Sequence, residues 1–382
     1  MLVVDGLGGM PHPETGKSEL ETARLPNLDG LAGESACGLT DPVMPGVTPG
    51  SGPGHMSLFG YDPVKYLMGR GVLEGLGIDV ELAEGDVAAR GNFCTLDSSG
   101  LVVDRRAGRI PTAESTPLVE LLNGIEAPGV GLSVYPVRDH RFVLVLKGDG
   151  LGDRVTETDP QDVGVAPQEA TSQSKDSKKT AGAVAIFVSA ARDLLGPRET
   201  ANMVLLRGFS RLPRLPDFGA AYRLNAAAVA TYPMYGGLAK LVGMKVLATG
   251  QKFDDELDTL ETHFAEHDFF FLHYKSADTA GEDGDFDAKV ARLQELDARI
   301  PRLVALGADV LVVAGDHSTP AVMGAHSWHP VPLMVRSGLT RGEGLAGFSE
   351  RHFAAGSLGR IPATSVMTLA MAHAGKLAKF GP

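Results

Sequence analysis

The sequence predicts an α/β protein, a mostly parallel sheet flanked by helices and interrupted by a smaller inserted α+β domain. Three observations carry that expectation. Short apolar runs end in acids or histidines, the pattern of buried strands that deliver side chains to one edge of a sheet. Two of these runs are joined by a helical stretch, giving the β-α-β unit from which parallel sheets are built. Glycine is in excess, 48 of 382 residues against roughly 7% in average usage, and falls mostly as single residues, as tight strand-to-helix turns require.

Taken in order, Met1-Leu2-Val3-Val4 reads as a buried strand that ends in Asp5 and the turn Gly6-Leu7-Gly8-Gly9. It is short for a strand; a start some codons upstream or a trimmed terminus would each account for that. The run 268–275 (DFFFLHYK) is a second strand and leads to Asp278; 309–314 (DVLVVA) is a third and leads to Asp316 and His317. Between them, Val290, Leu293, Leu296, Ile300, Leu303 and Val304 recur near helical spacing, which predicts a helix over about 285–306 with Asp285 as its cap. The block 81–218 has a different texture, with strand-like 101–103 and 142–146, a polar run 172–179 (SQSKDSKK) expected to be a solvated loop, and a proline-rich segment at 212–218. It reads as a smaller domain inserted into a larger one made of 1–80 and 219–382.

Apolar residues make up 43% and charged residues 21%, ordinary values for a chain with a packed core. The net charge of −12 makes nucleic acid or an anionic membrane a poor partner, so an anionic ligand needs a local cluster of cations. Cys37 and Cys94 lack metal-ligand or redox spacing and are expected as buried thiols in a reducing compartment. With no basic leader before an apolar segment, and no apolar run of about 18 residues, the expected location is the cytoplasm. No oligomeric state is read from the sequence.

Two regions carry candidate chemistry. Thr48-Pro49-Gly50-Ser51-Gly52-Pro53-Gly54-His55 places a serine among glycines ahead of an apolar segment. That suits a nucleophile or a phosphate cradle at a helix start, but taken alone the segment reads first as a Gly/Pro turn with Ser51 as N-cap. It is neither the Gly-x-Ser-x-Gly elbow nor a Walker loop. The second region holds Asp278-Thr279-Ala280-Gly281-Glu282, Gly315-Asp316-His317 and Ala325-His326-Ser327-Trp328-His329-Pro330, a mixture of oxygen and imidazole donors that suits Mn²⁺, Mg²⁺ or Zn²⁺. His263 and His267 have helix-face spacing but no third ligand nearby and are expected on a surface helix. His329, held extended by the proline after it, is expected as a pocket wall.

Together, Asp5-Gly6, Pro49-Gly50-Ser51, Asp278-x-x-x-Glu282, Gly315-Asp316-His317 and His326-Ser327-Trp328-x-Pro330-Val331-Pro332 resemble the cofactor-independent phosphoglycerate mutases of the archaeal type, members of the alkaline-phosphatase superfamily. Tyr61-Asp62-Pro63, Gly69-Arg70-Gly71, Arg90-Gly91-Asn92-Phe93, Asp104 to Arg109, Asp159-Pro160, Asn202 to Gly208 and Tyr232 to Met244 extend the resemblance over essentially the whole chain. It implies an alkaline-phosphatase-like sheet and a serine, here Ser51, that takes the phosphoryl group of 3-phosphoglycerate and returns it to the 2-hydroxyl without 2,3-bisphosphoglycerate. It implies two divalent metals, one held by Asp5, Ser51, Asp316 and His317, the other by Asp278, Glu282 and His326. It also implies that the insert grips the glycerate, for which Arg90, Arg105, Arg109, Arg141 and Arg207 are the candidate ligands because a guanidinium is a permanently charged, bidentate fork.

One position departs from the family. Many relatives place a histidine where Glu282 stands, and the harder carboxylate should favour Mg²⁺ or Mn²⁺ over Zn²⁺. A metal-dependent phosphatase, or a phosphotransferase acting on another small phosphoester, would share the serine and every ligand and differ in the insert. A metal-binding pseudoenzyme is disfavoured by the intact serine.

Overall fold

The computed structural model describes residues 1–381. In chain order the strands are β1 (Leu2–Val4), β2 (Ala36–Asp41), β3 (Val87–Leu96), β4 (Val102–Asp104), β5 (Gly131–Pro136), β6 (Arg141–Lys147), β7 (Met203–Arg211), β8 (Ala226–Val229), β9 (Lys245–Val246), β10 (Phe269–Tyr274), β11 (Val310–Ala314), β12 (Val331–Ser337) and β13 (Gly359–Pro362). They form two sheets, one in each of two units. The first unit comprises Met1–Leu67, Leu215–Tyr232 and the chain from Val242 onward; the second comprises Met68–Arg214 and Pro233–Leu241.

The first unit holds an eight-stranded sheet in the order β13-β2-β12-β11-β1-β10-β8-β9. Only β12 runs against its neighbours, so the sheet is mostly parallel. The three strands read from the sequence are its centre: Leu2 of β1 lies opposite Leu272 of β10 and Val313 of β11. Side chains of these strands are buried on both faces, which is why they read as continuous apolar runs rather than alternating ones. On one face Leu2, Val4, Leu272 and Val313 pack with Leu293, Leu296, Ile300 and Leu303. The expected helix over 285–306 is two helices, Phe286–Asp297 and Ile300–Ala305. Pro301 explains the break: it has no N–H to continue a helix but fits a first turn. Asp285 caps the first of the two, its Oδ1 accepting from the Ala288 N–H at 2.8 Å.

The second unit holds a five-stranded antiparallel sheet, β3 pairing with β4, β6 and β7, and β6 with β5. Its alternation is regular. Phe142, Leu144 and Leu146 of β6 face Val184, Phe187 and Ala191 of the helix Lys178–Leu195, while Val143 and Val145 face Val72 and Val80 on the other side. The polar run 172–179 is only partly a loop: a 3₁₀ turn spans Lys175–Ser177 and the long helix begins at Lys178. Lys178 and Lys179 are on the solvent side of that helix, whose apolar face starts at Ala181.

The expected boundaries, 1–80 and 219–382 around 81–218, need two corrections. The helix Arg70–Gly77 belongs with the second unit, where its Val72 packs over Ala88 of β3. So does the helix Pro233–Leu241, beyond the expected end of the insert. Gly237 is the reason: a Cβ there would stand 1.9 Å from the Leu73 carbonyl oxygen, so only glycine lets these two helices approach so closely. Cys37 and Cys94 are buried free thiols. Among the described residues no helix is long and apolar enough to cross a membrane.

Candidate active site

Ser51 opens the helix Ser51–Leu58 as its first helical residue, with Gly50 in the N-cap position and no side-chain cap bond. The N-cap alternative for Ser51 is therefore corrected. Its hydroxyl is turned elsewhere: Oγ lies 3.2 Å from His317 Nε2. One turn along, His55 is fully buried and its Nδ1 lies 2.8 Å from the Ser51 carbonyl oxygen and 3.1 Å from Asp316 Oδ2. Gly54 faces the same loop; a Cβ at that position would stand 2.1 Å from the Asp316 carbonyl oxygen.

The carboxylates arrive on the carboxyl ends of neighbouring strands, where ligands of open α/β sheets collect. Asp5 follows β1, Asp316 and His317 follow β11, and Asp278 sits in the short helix Ser276–Glu282 after β10. All four are buried. His317 Nε2 lies 3.2 Å from Asp5 Oδ1 and 3.1 Å from Asp316 Oδ2, in addition to Ser51 Oγ. A ring nitrogen carries one proton or one lone pair, so hydrogen bonding alone cannot satisfy three oxygens at that atom. Four donors converging on one point is the pattern of a cation shell. His317 Nδ1 lies 2.9 Å from Thr319 Oγ1, which leaves Nε2 as the nitrogen that faces this group.

A second group adjoins the first. His326 Nε2 lies 3.7 Å from Asp278 Oδ1 and 3.6 Å from Glu282 Oε1. The His326 ring stacks on that of His317, with centroids 3.7 Å apart, and its Nδ1 lies 2.9 Å from the Pro49 carbonyl oxygen. In each of two clusters, Asp5 with Asp316 and His317, and Asp278 with His317 and His326, one ligand atom per residue lies within 4.8 Å of the others, close enough to share one cation. The expected donor sets are thus brought together, with His317 at the boundary of both and Glu282 at the solvent edge, its side chain 47% exposed.

The electrostatics are those of a crowded anionic site. Burial would raise Asp5, but Lys275, His273 and His317 hold it well below the usual carboxylate range. Burial and the neighbouring Asp5 push Asp278 up. Burial and Asp5 also work against ionised Asp316, and His317 and His55 overcome them. Burial lowers His273 to about 4, so it is a neutral ring beside Asp5. Burial opposes the charged form of His326, yet Glu282 and Asp278 raise it to about 9.

Behind the site lies a buried ion-pair network that the sequence did not announce. Lys289 donates to the Gly8 and Thr319 carbonyl oxygens at 3.0 and 2.8 Å, and Glu19 accepts from the Ala321 and Met10 N–H groups at 2.7 and 3.2 Å. It ties the loop after Asp5 to the loop after His317. His55 and His273 were also missed; the four-residue spacing from Ser51 to His55 was the available signal. His329 is half-buried, with Nδ1 3.0 Å from Ser327 Oγ, on the wall rather than among the donors. His263 ends the helix Phe253–His263 and lies 3.0 Å from Glu266; His267 falls beyond that helix and faces Asn225.

In the second unit the five expected arginines lie on or near one sheet, and the structure gives several of them internal partners. Arg90 Nε lies 3.2 Å from buried Glu74 Oε1. Arg105 forms a bidentate pair with Asp159, at 3.0 and 2.8 Å. Arg207 lies 3.8 Å from the same aspartate, and Arg141 lies 3.9 Å from Asp139. Arg109 follows Ala107 and Gly108 in a run of three positive φ angles, 45°, 68° and 55°, a strained loop of the kind found at binding sites. Arg141, Arg90, Arg106 and Arg109 all surround His140, which burial and these charges push down to about 3.

A mostly parallel sheet with a helix-borne serine, three buried carboxylates and stacked imidazoles at its carboxyl edge defines an α/β enzyme. The profile of the 2,3-bisphosphoglycerate-independent phosphoglycerate mutase family matches residues 32–200. Proteins named as probable 2,3-bisphosphoglycerate-independent phosphoglycerate mutases are similar over the whole of this chain and 95% of their own length. The one from Thermotoga maritima is 51% identical and one from Thermus thermophilus is 48% identical. Among solved structures, the PH0037 protein from Pyrococcus horikoshii superposes with a TM-score of 0.85 at 28% identity, covering 100% of this chain and 98% of that one. A cofactor-independent phosphoglycerate mutase from Thermoplasma acidophilum superposes with a TM-score of 0.68 at 29% identity, covering 98% of each chain. The chain belongs to the 2,3-bisphosphoglycerate-independent phosphoglycerate mutase family.

Proposed function

We propose that this protein interconverts 3-phosphoglycerate and 2-phosphoglycerate, the step shared by glycolysis and gluconeogenesis, through a phosphoserine on Ser51 at a site that holds two divalent cations. The observation that carries the reading is Ser51 Oγ, unused as a cap and 3.2 Å from a histidine nitrogen that also faces Asp5 and Asp316. Asp5, Ser51, Asp316 and His317 would hold one cation, and Asp278, Glu282 and His326 the other; the preponderance of oxygen donors favours Mn²⁺ or Mg²⁺ over Zn²⁺. Bound there, the cations would supply stabilisation of a serine alkoxide and of the charge on the phosphoryl oxygens.

The chain's own part is positioning. Ser51 Oγ gives up its proton and forms a bond to phosphorus as the bond from phosphorus to the substrate oxygen breaks, and that oxygen takes up a proton to become a hydroxyl. The other hydroxyl of the same glycerate then loses its proton and attacks the phosphoserine, and the departing Ser51 Oγ regains a proton, so that no atom is gained or lost overall. The start of the Ser51–Leu58 helix adds free N–H groups and the positive end of its dipole beside the transferring group. His55, held between the Ser51 carbonyl and Asp316, fixes the serine's turn against the strand end.

The test is a coupled assay of metal-reconstituted protein with 3-phosphoglycerate, freed of 2,3-bisphosphoglycerate, that scores 2-phosphoglycerate against free phosphate. Formation of 2-phosphoglycerate without phosphate release, abolished by EDTA, is expected. Net phosphate release would make the protein a phosphatase of the same chemistry, and strict dependence on added bisphosphoglycerate would overturn the phosphoserine route.

A further inference from the structure

Lys275 stands between the two donor groups. It is the first residue past β10, and the pairing of Val4 with Tyr274 makes Asp5 and Lys275 neighbours on the next rung of two parallel strands. The Asp5 N–H donating to the Tyr274 carbonyl at 2.9 Å extends that ladder. Three residues further on, in the first turn of the helix Ser276–Glu282, comes Asp278. One lysine side chain therefore reaches a carboxylate on the neighbouring strand end and another on its own helix.

The atoms it touches are informative. Lys275 Nζ donates to Asp5 Oδ2 at 3.0 Å and to Asp278 Oδ2 in a short contact. Asp5 Oδ2 is also 3.2 Å from His273 Nε2, and the other oxygen of each carboxylate is the one that meets His317 or His326. Asp5 Oδ1 lies 3.2 Å from His317 Nε2, and Asp278 Oδ1 lies 3.7 Å from His326 Nε2 while accepting from Thr319 Oγ1 at 2.7 Å. A carboxylate's terminal torsion is broad and two-fold, so the backbone does not decide which oxygen faces which way. Hydrogen bonds do, and the charge-assisted one from Lys275 is the strongest kind, acting beside His273 at Asp5 and Thr319 at Asp278.

We propose that Lys275 is a positioning residue shared by both cation sites: one ammonium pins Oδ2 of Asp5 and Oδ2 of Asp278, and so turns Oδ1 of each toward its histidine partners. The proposal rests on the cation reading above. Groups that orient metal ligands through their second oxygen or nitrogen typically carry ten- to a hundredfold of metal affinity. Because this one serves two ligands in different groups, its loss weakens both sites together. Lys275 does so from the rim, its side chain 28% exposed along a cavity of about 370 Å³ that Thr231, Lys252 and Ser276 also line.

The experiment titrates Mn²⁺ into metal-stripped protein and follows free Mn²⁺ by electron paramagnetic resonance, for wild type, Lys275→Met and Lys275→Gln, with the melting temperature of each recorded. The expected result is two binding events in wild type, both weakened about ten- to a hundredfold in whichever variants retain a wild-type melting profile. Mn²⁺ binding that is unchanged or tighter in those variants overturns the proposal, since the ammonium would then be a bystander or a competitor for the carboxylates. A wild-type protein that takes up no Mn²⁺ overturns the cation reading itself, and this proposal with it.

Discussion

Ser51 Oγ and His317 Nε2 stand 3.2 Å apart across 266 residues of sequence. The serine begins a helix and the histidine ends a strand turn, so the contact joins the first and last thirds of the first unit. The same histidine nitrogen faces Asp5 and Asp316, which converts a serine in a glycine-rich turn into a candidate nucleophile. Ser51→Ala should therefore fold and retain Mn²⁺ at the second donor group, where no atom of Ser51 takes part, yet lose mutase turnover by several orders of magnitude, as removal of a covalent nucleophile does. Steady-state turnover with 3-phosphoglycerate checks this. An alanine variant with near-native turnover would exclude a phosphoserine.

Glu282 gives a prediction about selectivity rather than rate. Its carboxylate lies 3.6 Å from His326 Nε2 at the solvent edge of the Asp278 group. Glu282→His exchanges a hard oxygen for a borderline nitrogen, and the ratio of Zn²⁺ to Mn²⁺ affinity should rise by about tenfold or more. Competition titrations of wild type and variant measure that ratio directly, and equal ratios would show that the position does not set metal preference.

The sequence and the structure agree where the signal is local. Asp5, Asp278, Asp316 and His317 were legible because each follows a short apolar run, and a buried parallel strand has little freedom but to present its successor at the carboxyl edge. Lys275 and His273 were not, although they adjoin those same residues, because their roles depend on the register of β1 against β10. That register is a fact about two segments 268 residues apart, the span of the His273–Asp5 contact. His55 was hidden for another reason: its helix, with three glycines or prolines between Ser51 and His55, looks like a turn. The helix Pro233–Leu241 was assigned to the wrong unit because nothing local marks its packing; the small side of Gly237 against the Leu73 carbonyl does. Arg90 and Arg105 illustrate the same limit, since an arginine's partner is chosen by the fold and theirs are Glu74 and Asp159.

Gly54 tests how tightly the serine helix is seated. Alanine would favour the helix by about 1 kcal/mol, but its Cβ would stand 2.1 Å from the Asp316 carbonyl oxygen, and overpacking of this kind costs about 1–3 kcal/mol. The steric effect should win. Gly54→Ala is expected to lower stability, and to lower turnover by about a hundredfold, because displacements near 1 Å at a reacting centre have that effect. Denaturant melts and turnover numbers on the same preparation separate the two losses. Unchanged turnover would mean that Asp316 can shift without consequence for the chemistry.

Glu256 provides a pH dependence from a residue outside the two donor groups. It is buried in the helix Phe253–His263, its Oε1 accepting from the Thr231 N–H at 2.6 Å. Burial raises its carboxyl to about 8, Asp255 adding to the rise against the pull of the Thr231 hydrogen bonds. A carboxyl raised above its unfolded value, about 4.3, leaves the native state holding the extra proton between those two values. The slope of unfolding free energy with pH is then negative. The contribution of Glu256 is present in full below about pH 4.3 and is lost as pH climbs to about 8. The substitution Glu256→Gln keeps the Oε1 acceptor and removes the ionisable group. The variant's melting temperature relative to wild type should be nearly constant at acid pH and rise by a few degrees as the pH passes from about 5 to about 8, the interval in which the unfolded chain has lost the proton that the native carboxyl still holds. Parallel melting curves for the two proteins across that range would show that Glu256 ionises in the native state at its ordinary value.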